Sequence, residues 1–192
     1  MIDKGTHPIF SNHMKKLFFI SILIIFWSCG KKNVYWQPHA EFPKITKSGT
    51  VLANETFSLK KIGANTKVLV LNFFAPKCKP CIVELPELEK INTKLSTMKD
   101  VEFITIGSTL SSPVPGDKTK LSEIAKAVAE FKKNYKVTYD SYLATSKELN
   151  EFGITGFPET FILHRDSENH WYVKRRYVSA IIENDVYQYI QR

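Results

Sequence analysis

The stretch 68–86, VLVLNFFAPKCKPCIVELP, constrains this chain more than any other. A run of apolar, β-favouring residues leads into Cys78-Lys79-Pro80-Cys81, and an amphipathic segment follows. The run has the length and the Val/Leu/Phe content of a buried strand. The segment after it carries Ile82, Leu85, Leu88, Ile91 and Leu95 along one helical stripe. Pro80 falls in the first turn of that helix, where a missing N–H costs nothing. Pro86 falls inside it and is expected to kink it. A strand feeding a C-x-x-C at a helix start sets the first sulfur beside unpaired helix N–H groups. Those donors, with the positive end of the helix dipole, favour the thiolate, the form that attacks a disulfide. The spacing alone also suits a metal site, so the rest of the chain has to decide.

The remaining pattern is α/β. Residues 44–59 alternate weakly, with Ser48-Gly49 and Ala53-Asn54 at turn positions, and predict a short N-terminal hairpin. Strands are expected over 67–74 and over 101–107, the second reading as a buried parallel neighbour of the first. The Pro/Gly/Ser-rich stretch 108–118 is a loop. A helix follows over 119–135, with Leu121, Ile124, Ala125, Val128 and Phe131 on its stripe. A short strand is expected over 137–139 and a short helix over 146–152, stopped by Gly153. Gly156-Phe157-Pro158 opens another strand, 165–169 is turn chemistry, and 171–178 pairs back as a hairpin. An amphipathic helix over 181–190 closes the order β-α-β-α-β…β-β-α, with a parallel and an antiparallel part.

A chain of 192 residues suits one domain plus a terminal extension, and 12% aromatic residues suffice for a packed core. The formal net charge is +8, but the lysines are scattered among glutamates. This describes a solvated basic surface rather than the clustered stripe that a nucleic-acid partner needs.

The N-terminus reads as an address. Met14-Lys15-Lys16 is followed by the apolar run 17–27, too short to span a membrane comfortably and suited to a secretory signal core. Met14 is expected to be the functional start. The competing reading is a buried core helix. Ser28-Cys29-Gly30 resembles a bacterial lipoprotein signal, in which the cysteine becomes the lipidated N-terminus after cleavage, although Phe26 and Trp27 are bulkier than that pattern usually has. The resemblance accounts for the odd cysteine of three, and the alternative is a free structural thiol. Three parts are expected: 1–28 as upstream residues and signal, 29–43 as a tether, and 44–192 as the domain. Removing 1–28, with three lysines and one aspartate, leaves a net charge of +6. A mature chain starting at Cys29 would work outside the cytoplasm, where disulfides persist.

The strand, the C-x-x-C, the helix with its inner proline and the Gly-x-Pro-x-Thr strand together resemble the thioredoxin fold. The segment 72–81, NFFAPKCKPC, followed by Glu84-Leu85-Pro86, is similar to the TlpA/ResA-like family of membrane-tethered, extracytoplasmic thiol-disulfide oxidoreductases. The likeness covers roughly 42–192. It implies a central mixed sheet flanked by helices, with an N-terminal β-hairpin and an inserted helix over 119–135. It implies a redox-active Cys78–Cys81 disulfide, with Cys78 as nucleophile and Cys81 as resolving cysteine, and no cofactor beyond that disulfide. Pro158 matches the family's cis-proline, and an X–Pro bond can take that form for about 0.5–1 kcal/mol. Gly156, Phe157 and Pro158 would then present backbone groups to a bound peptide strand. The other reading of Pro158 is a plain strand-initiating proline.

Glu84 lies one helical turn after Cys81, so the two share a face. A partly buried carboxylate there could exchange a proton with Cys81, its pKa raised by desolvation. Otherwise it is an ordinary solvated glutamate. Asn72 stands where thioredoxins place a buried aspartate, which shifts that role to Glu84. Glu159 resembles the Pro-Glu-Thr-Phe of a cytochrome c maturation branch and could equally be a surface carboxylate. Lys77 replaces the usual tryptophan, and with Lys79 puts two cations beside Cys78, favouring its thiolate.

The implied partners are disulfide-bearing envelope proteins, a membrane dithiol as electron donor, and the membrane itself through Cys29, facing the periplasm of a bacterium. The direction expected from the resemblance is reduction, with apocytochrome c among the substrates. Two alternatives are weighed against it. A thiol peroxidase needs a threonine three residues before the reactive cysteine, and Ala75 stands there. A copper module needs soft ligands that converge. His164 and His170 show no spacing that brings them to the cysteines.

Overall fold

The computed structural model describes residues 38–109 and 120–190. The chain divides into two units, Met1–Asn33 and Val34–Arg192, and every described residue falls in the second. The expected signal, the tether residues 29–37 with Cys29, and most of the 108–118 loop lie outside the described residues.

A seven-stranded mixed sheet in the order β2-β1-β5-β4-β3-β6-β7 organises the domain. Its centre is β3 (Val68–Phe74), buried at all seven positions, as a strand covered on both faces should be. β3 pairs in parallel with β4 (Val101–Gly107) and antiparallel with β6 (Glu159–Arg165). β7 (Trp171–Tyr177) extends the sheet beyond β6. On the other side β4 pairs in parallel with β5 (Ser141–Leu143), and the hairpin of β1 (Phe42–Ile45) and β2 (Val51–Phe57) joins through Lys44 opposite Tyr142.

Side chains alternate across β3 and divide the core in two. Val68, Val70 and Phe74 pack with α1 (Lys79–Leu95), α2 (Leu121–Tyr135) and α4 (Glu183–Ile190), using Leu88, Ile91, Ile124, Val128 and Val186. Leu69, Leu71 and Phe73 face the opposite side, with Phe42, Phe57, Phe161, Trp171 and Leu149 of α3 (Ser146–Glu151). Asn72 has the parity of the first set, so β3 aims one amide at the underside of α1. Gly107 ends β4 where a Cβ would come within 2.7 Å of Val128, so only glycine lets α2 lie this close. Among the described residues no helix is long and apolar enough to cross a membrane.

The expected elements are present, with corrections. The domain begins before residue 44: Ala40 and Phe42 are buried, and the Phe42 ring packs on Phe57, Phe73 and Phe152. The hairpin turns at Ser48-Gly49, with Gly49 at φ 87, while Ala53-Asn54 runs on inside β2. The expected strand over 137–139 is instead the exit from α2. Lys136 takes a left-handed φ of 55, Val137 N–H returns to the Lys132 carbonyl, and Thr138 donates to both carboxylate oxygens of Glu89. With those groups occupied, pairing begins only at Ser141. α1 runs unbroken through Pro86, which is exposed.

Candidate active site

β3 ends at Phe74, and a turn through Ala75, Pro76 and Lys77 delivers Cys78 to the N-cap of α1. Cys78 has extended backbone angles, φ −84 and ψ 110, and its N–H donates to the Ala75 carbonyl at 3.1 Å. Its sulfur accepts from the Cys81 N–H at 3.2 Å, in the role a serine or aspartate oxygen plays at an ordinary cap. This is the placement expected from the strand–C-x-x-C–helix pattern. The two cysteines are joined in a disulfide. They are not equivalent: Cys78 is half-buried, whereas Cys81 is 1% exposed. Only Cys78 is open to an incoming sulfur.

The loop before β6 closes over the pair. The Phe157–Pro158 peptide is cis, and the Phe157 carbonyl oxygen stands 3.4 Å from Cys78 Sγ. Phe157 is half-buried and Pro158 buried, and a Cβ on Gly156 would meet no atom of the described residues within 4 Å. Of the three residues read from the sequence as a partner-binding segment, Phe157 sets its carbonyl against the accessible sulfur. The space beside Gly156 is open rather than filled.

Behind the disulfide lies a buried polar cluster. Glu84 is 2% exposed. One carboxylate oxygen accepts from Asn72 Nδ2 at 3.1 Å and the other from the Ile181 backbone N–H at 3.1 Å. Asn72 Nδ2 also donates to Thr160 Oγ1 at 2.9 Å, across the β3–β6 ladder in which the two residues are directly opposed. Burial disfavours the carboxylate and pushes its pKa up to about 7, against the lowering effect of the Asn72 and Ile181 hydrogen bonds. Asn72 Oδ1 is buried and finds no partner among the described residues. Turning that amide would offer the oxygen to a protonated Glu84, so the cluster can satisfy both protonation states. The solvated-helix reading of Glu84 does not hold.

Glu159 is not a surface carboxylate: it is fully buried. Since Thr160 faces Glu84, its neighbour Glu159 faces the other side of the sheet. There it accepts from Arg176 Nε and from the Thr155 N–H at 2.9 Å, while Arg176 also donates to the Gly153 carbonyl at 2.9 Å. Glu159 and Arg176 thereby pin the backbone just before the cis-proline. The Arg176 link was not legible in the sequence, and neither was the Ile181 N–H. A backbone donor carries no sequence signal, and an arginine in a run of Lys174-Arg175-Arg176 looks solvated.

The histidines stand elsewhere. His164 lies opposite Val68, at the start of β3, and its Nε2 pairs with the Tyr189 carbonyl at 2.8 Å. His170 sits in the β6–β7 turn, 3.6 Å from Asp166. The cysteines follow the other end of β3, so neither His164 nor His170 is brought to Cys78 and Cys81.

Comparison with known proteins agrees with this geometry. The Redoxin family model matches residues 37–188. The chain is 27% identical over 140 residues to the thioredoxin-like protein YneN of Bacillus subtilis, covering 72% of each chain. Among solved structures, StoA of Bacillus subtilis superposes with a TM-score of 0.55 at 19% identity, over 79% of this chain and 97% of that one. The exposed lipoprotein thioredoxin Etrx1 of Streptococcus pneumoniae gives a TM-score of 0.52 at 22% identity, over 79% of this chain and 98% of that one. With a thioredoxin fold, a dithiol at its helix cap and a family match across the described domain, the chain belongs to the Redoxin family and is a thioredoxin-like thiol-disulfide oxidoreductase.

Proposed function

We propose that the protein reduces disulfides of envelope proteins from a lipid anchor outside the cytoplasm. The observation that carries the reading is the asymmetry of the dithiol: one capped, accessible sulfur beside the cis-proline loop, and one buried sulfur a helical turn from a buried carboxylate.

In the reduced protein, Cys78 thiolate attacks a substrate disulfide. The substrate S–S bond breaks, one substrate thiolate leaves, and a mixed disulfide joins Cys78 to the other sulfur. Glu84 takes the Cys81 proton, and the Cys81 thiolate attacks Cys78 Sγ. The mixed disulfide breaks, the second substrate thiolate leaves, and the Cys78–Cys81 bond forms. Two electrons have passed to the substrate. A membrane dithiol resets the pair by the reverse exchange. The cis-proline loop receives the substrate as an added strand, with Phe157, Pro158 and Gly156 as its contact.

The anchor rests on Ser28-Cys29-Gly30 and on the lipoprotein described for one structural neighbour. Apocytochrome c, whose cysteines must be reduced before haem attaches, is a substrate of the right kind, as are other envelope disulfides. Insulin reduction tests the activity. Catalytic amounts of the protein with dithiothreitol are expected to accelerate B-chain precipitation several-fold over dithiothreitol alone. A rate equal to dithiothreitol alone would remove the exchange reading.

A further inference from the structure

Two cations flank the accessible sulfur. Lys77 and Lys79 are exposed on either side of Cys78. Among the described residues neither side chain enters a hydrogen bond or ion pair. The carboxylates of α1, β6 and α4 are engaged. Glu84 is buried against Asn72 and Ile181. Glu159 is buried against Arg176 and Thr155. Glu87 accepts from Lys90 and from the Glu183 N–H, Glu183 pairs with Lys94, and Asp185 accepts from the Ile182 N–H. The described rim of the dithiol thus offers two positive charges beside Cys78 with no described carboxylate paired to them.

A substrate strand seated on Phe157 and Pro158 has to bring its own cysteine to Cys78 Sγ. Side chains next to that cysteine then come level with the residues next to Cys78, which are Lys77 and Lys79. We propose that this rim selects substrates whose disulfide cysteine is flanked by acidic side chains, a specificity that rests on the exchange reading above. The electron and proton balance is that of the exchange already described; the lysines add attraction in the encounter and in the mixed disulfide.

The competing account is that the lysines act only on the Cys78 thiolate. A ratio of rates separates the two, because the nucleophile is the same for every peptide. Fully reduced protein is mixed with three peptides of one sequence, each closed by a disulfide whose cysteine is flanked by two Glu, two Gln or two Lys. Second-order rate constants are read by stopped flow. The Glu peptide is expected to react about tenfold faster than the Gln peptide at low ionic strength. That ratio should fall towards one at about 1 M salt, where the screening length is about 3 Å. K77Q/K79Q should erase the ratio while still reducing the Gln peptide, and K77E/K79E should favour the Lys peptide. Equal rates for Glu and Gln peptides in the wild type, or a preference that survives K77Q/K79Q, would overturn the selectivity and leave the exchange reading standing. No exchange with any peptide would overturn both.

Discussion

Cys81→Ser holds its substrate: mixed with a disulfide peptide, this variant accumulates a covalent adduct through Cys78 and does not turn over. Cys78→Ser forms no adduct and falls to the protein-free rate. The difference follows from burial and capping. Cys78 is the accessible sulfur and receives the Cys81 N–H, so its thiolate forms and meets the substrate. Cys81 is 1% exposed and reaches only a sulfur already delivered to Cys78. A serine in place of Cys81 keeps the shape and removes the step that frees the product. Non-reducing electrophoresis with mass spectrometry of the adduct checks both variants. An adduct on Cys81 in Cys78→Ser would reverse the assignment of roles.

Glu84→Gln removes a pH dependence that the wild type must carry. Burial pushes the carboxyl pKa up to about 7 in the folded chain, from an ordinary 4.5. Between those values the folded state holds a proton that the unfolded state has released, so stability falls as pH rises through that window. The shift corresponds to on the order of 3 kcal/mol lost between about pH 4.5 and 7, with little change above. The glutamine variant stays neutral, so its stability curve is flatter there, and its advantage over the wild type is larger at pH 8 than at pH 4.5. Urea unfolding of the oxidised proteins across this range reads it. The reduced proteins give a second readout: without the carboxylate as proton acceptor, the Cys81 titration moves and release of the mixed disulfide slows. A parallel stability curve with an unchanged Cys81 titration would leave Glu84 as packing alone.

The dithiol half of the candidate site was legible because its signals are local. A buried strand, a helix-capping cysteine, a proline in the first turn and an i, i+3 glutamate all lie within seventeen residues, 68–84; the strand and helix follow from periodicity, and the role given to Glu84 follows mostly from the resemblance. The Gly-Phe-Pro loop was legible only through its resemblance to a family, since a proline before a strand is common. What escaped the sequence is what tertiary pairing decides. The second oxygen of Glu84 is satisfied by the backbone of Ile181, which is remote in sequence. Glu159 was left open between two readings because its partner, Arg176, belongs to the edge strand β7. The misplaced strand at 137–139 has the same origin. Val137 and Thr138 have strand propensity, but the left-handed cap at Lys136 and the reach of Glu89 claim their polar groups first.

The same division explains why the direction of electron flow is a property of the whole site. The residues between the cysteines place charge beside Cys78, and in the proposed mechanism the potential also depends on a proton shared by Cys81 and Glu84. Thioredoxin and DsbA share the dithiol spacing and differ by about 150 mV. The most direct measurement is therefore the reduction potential of the Cys78–Cys81 pair, by equilibration with glutathione redox buffers at pH 7 and thiol trapping. A reductant gives a value nearer the roughly −270 mV of thioredoxin, and a value near the roughly −120 mV of DsbA would contradict the account.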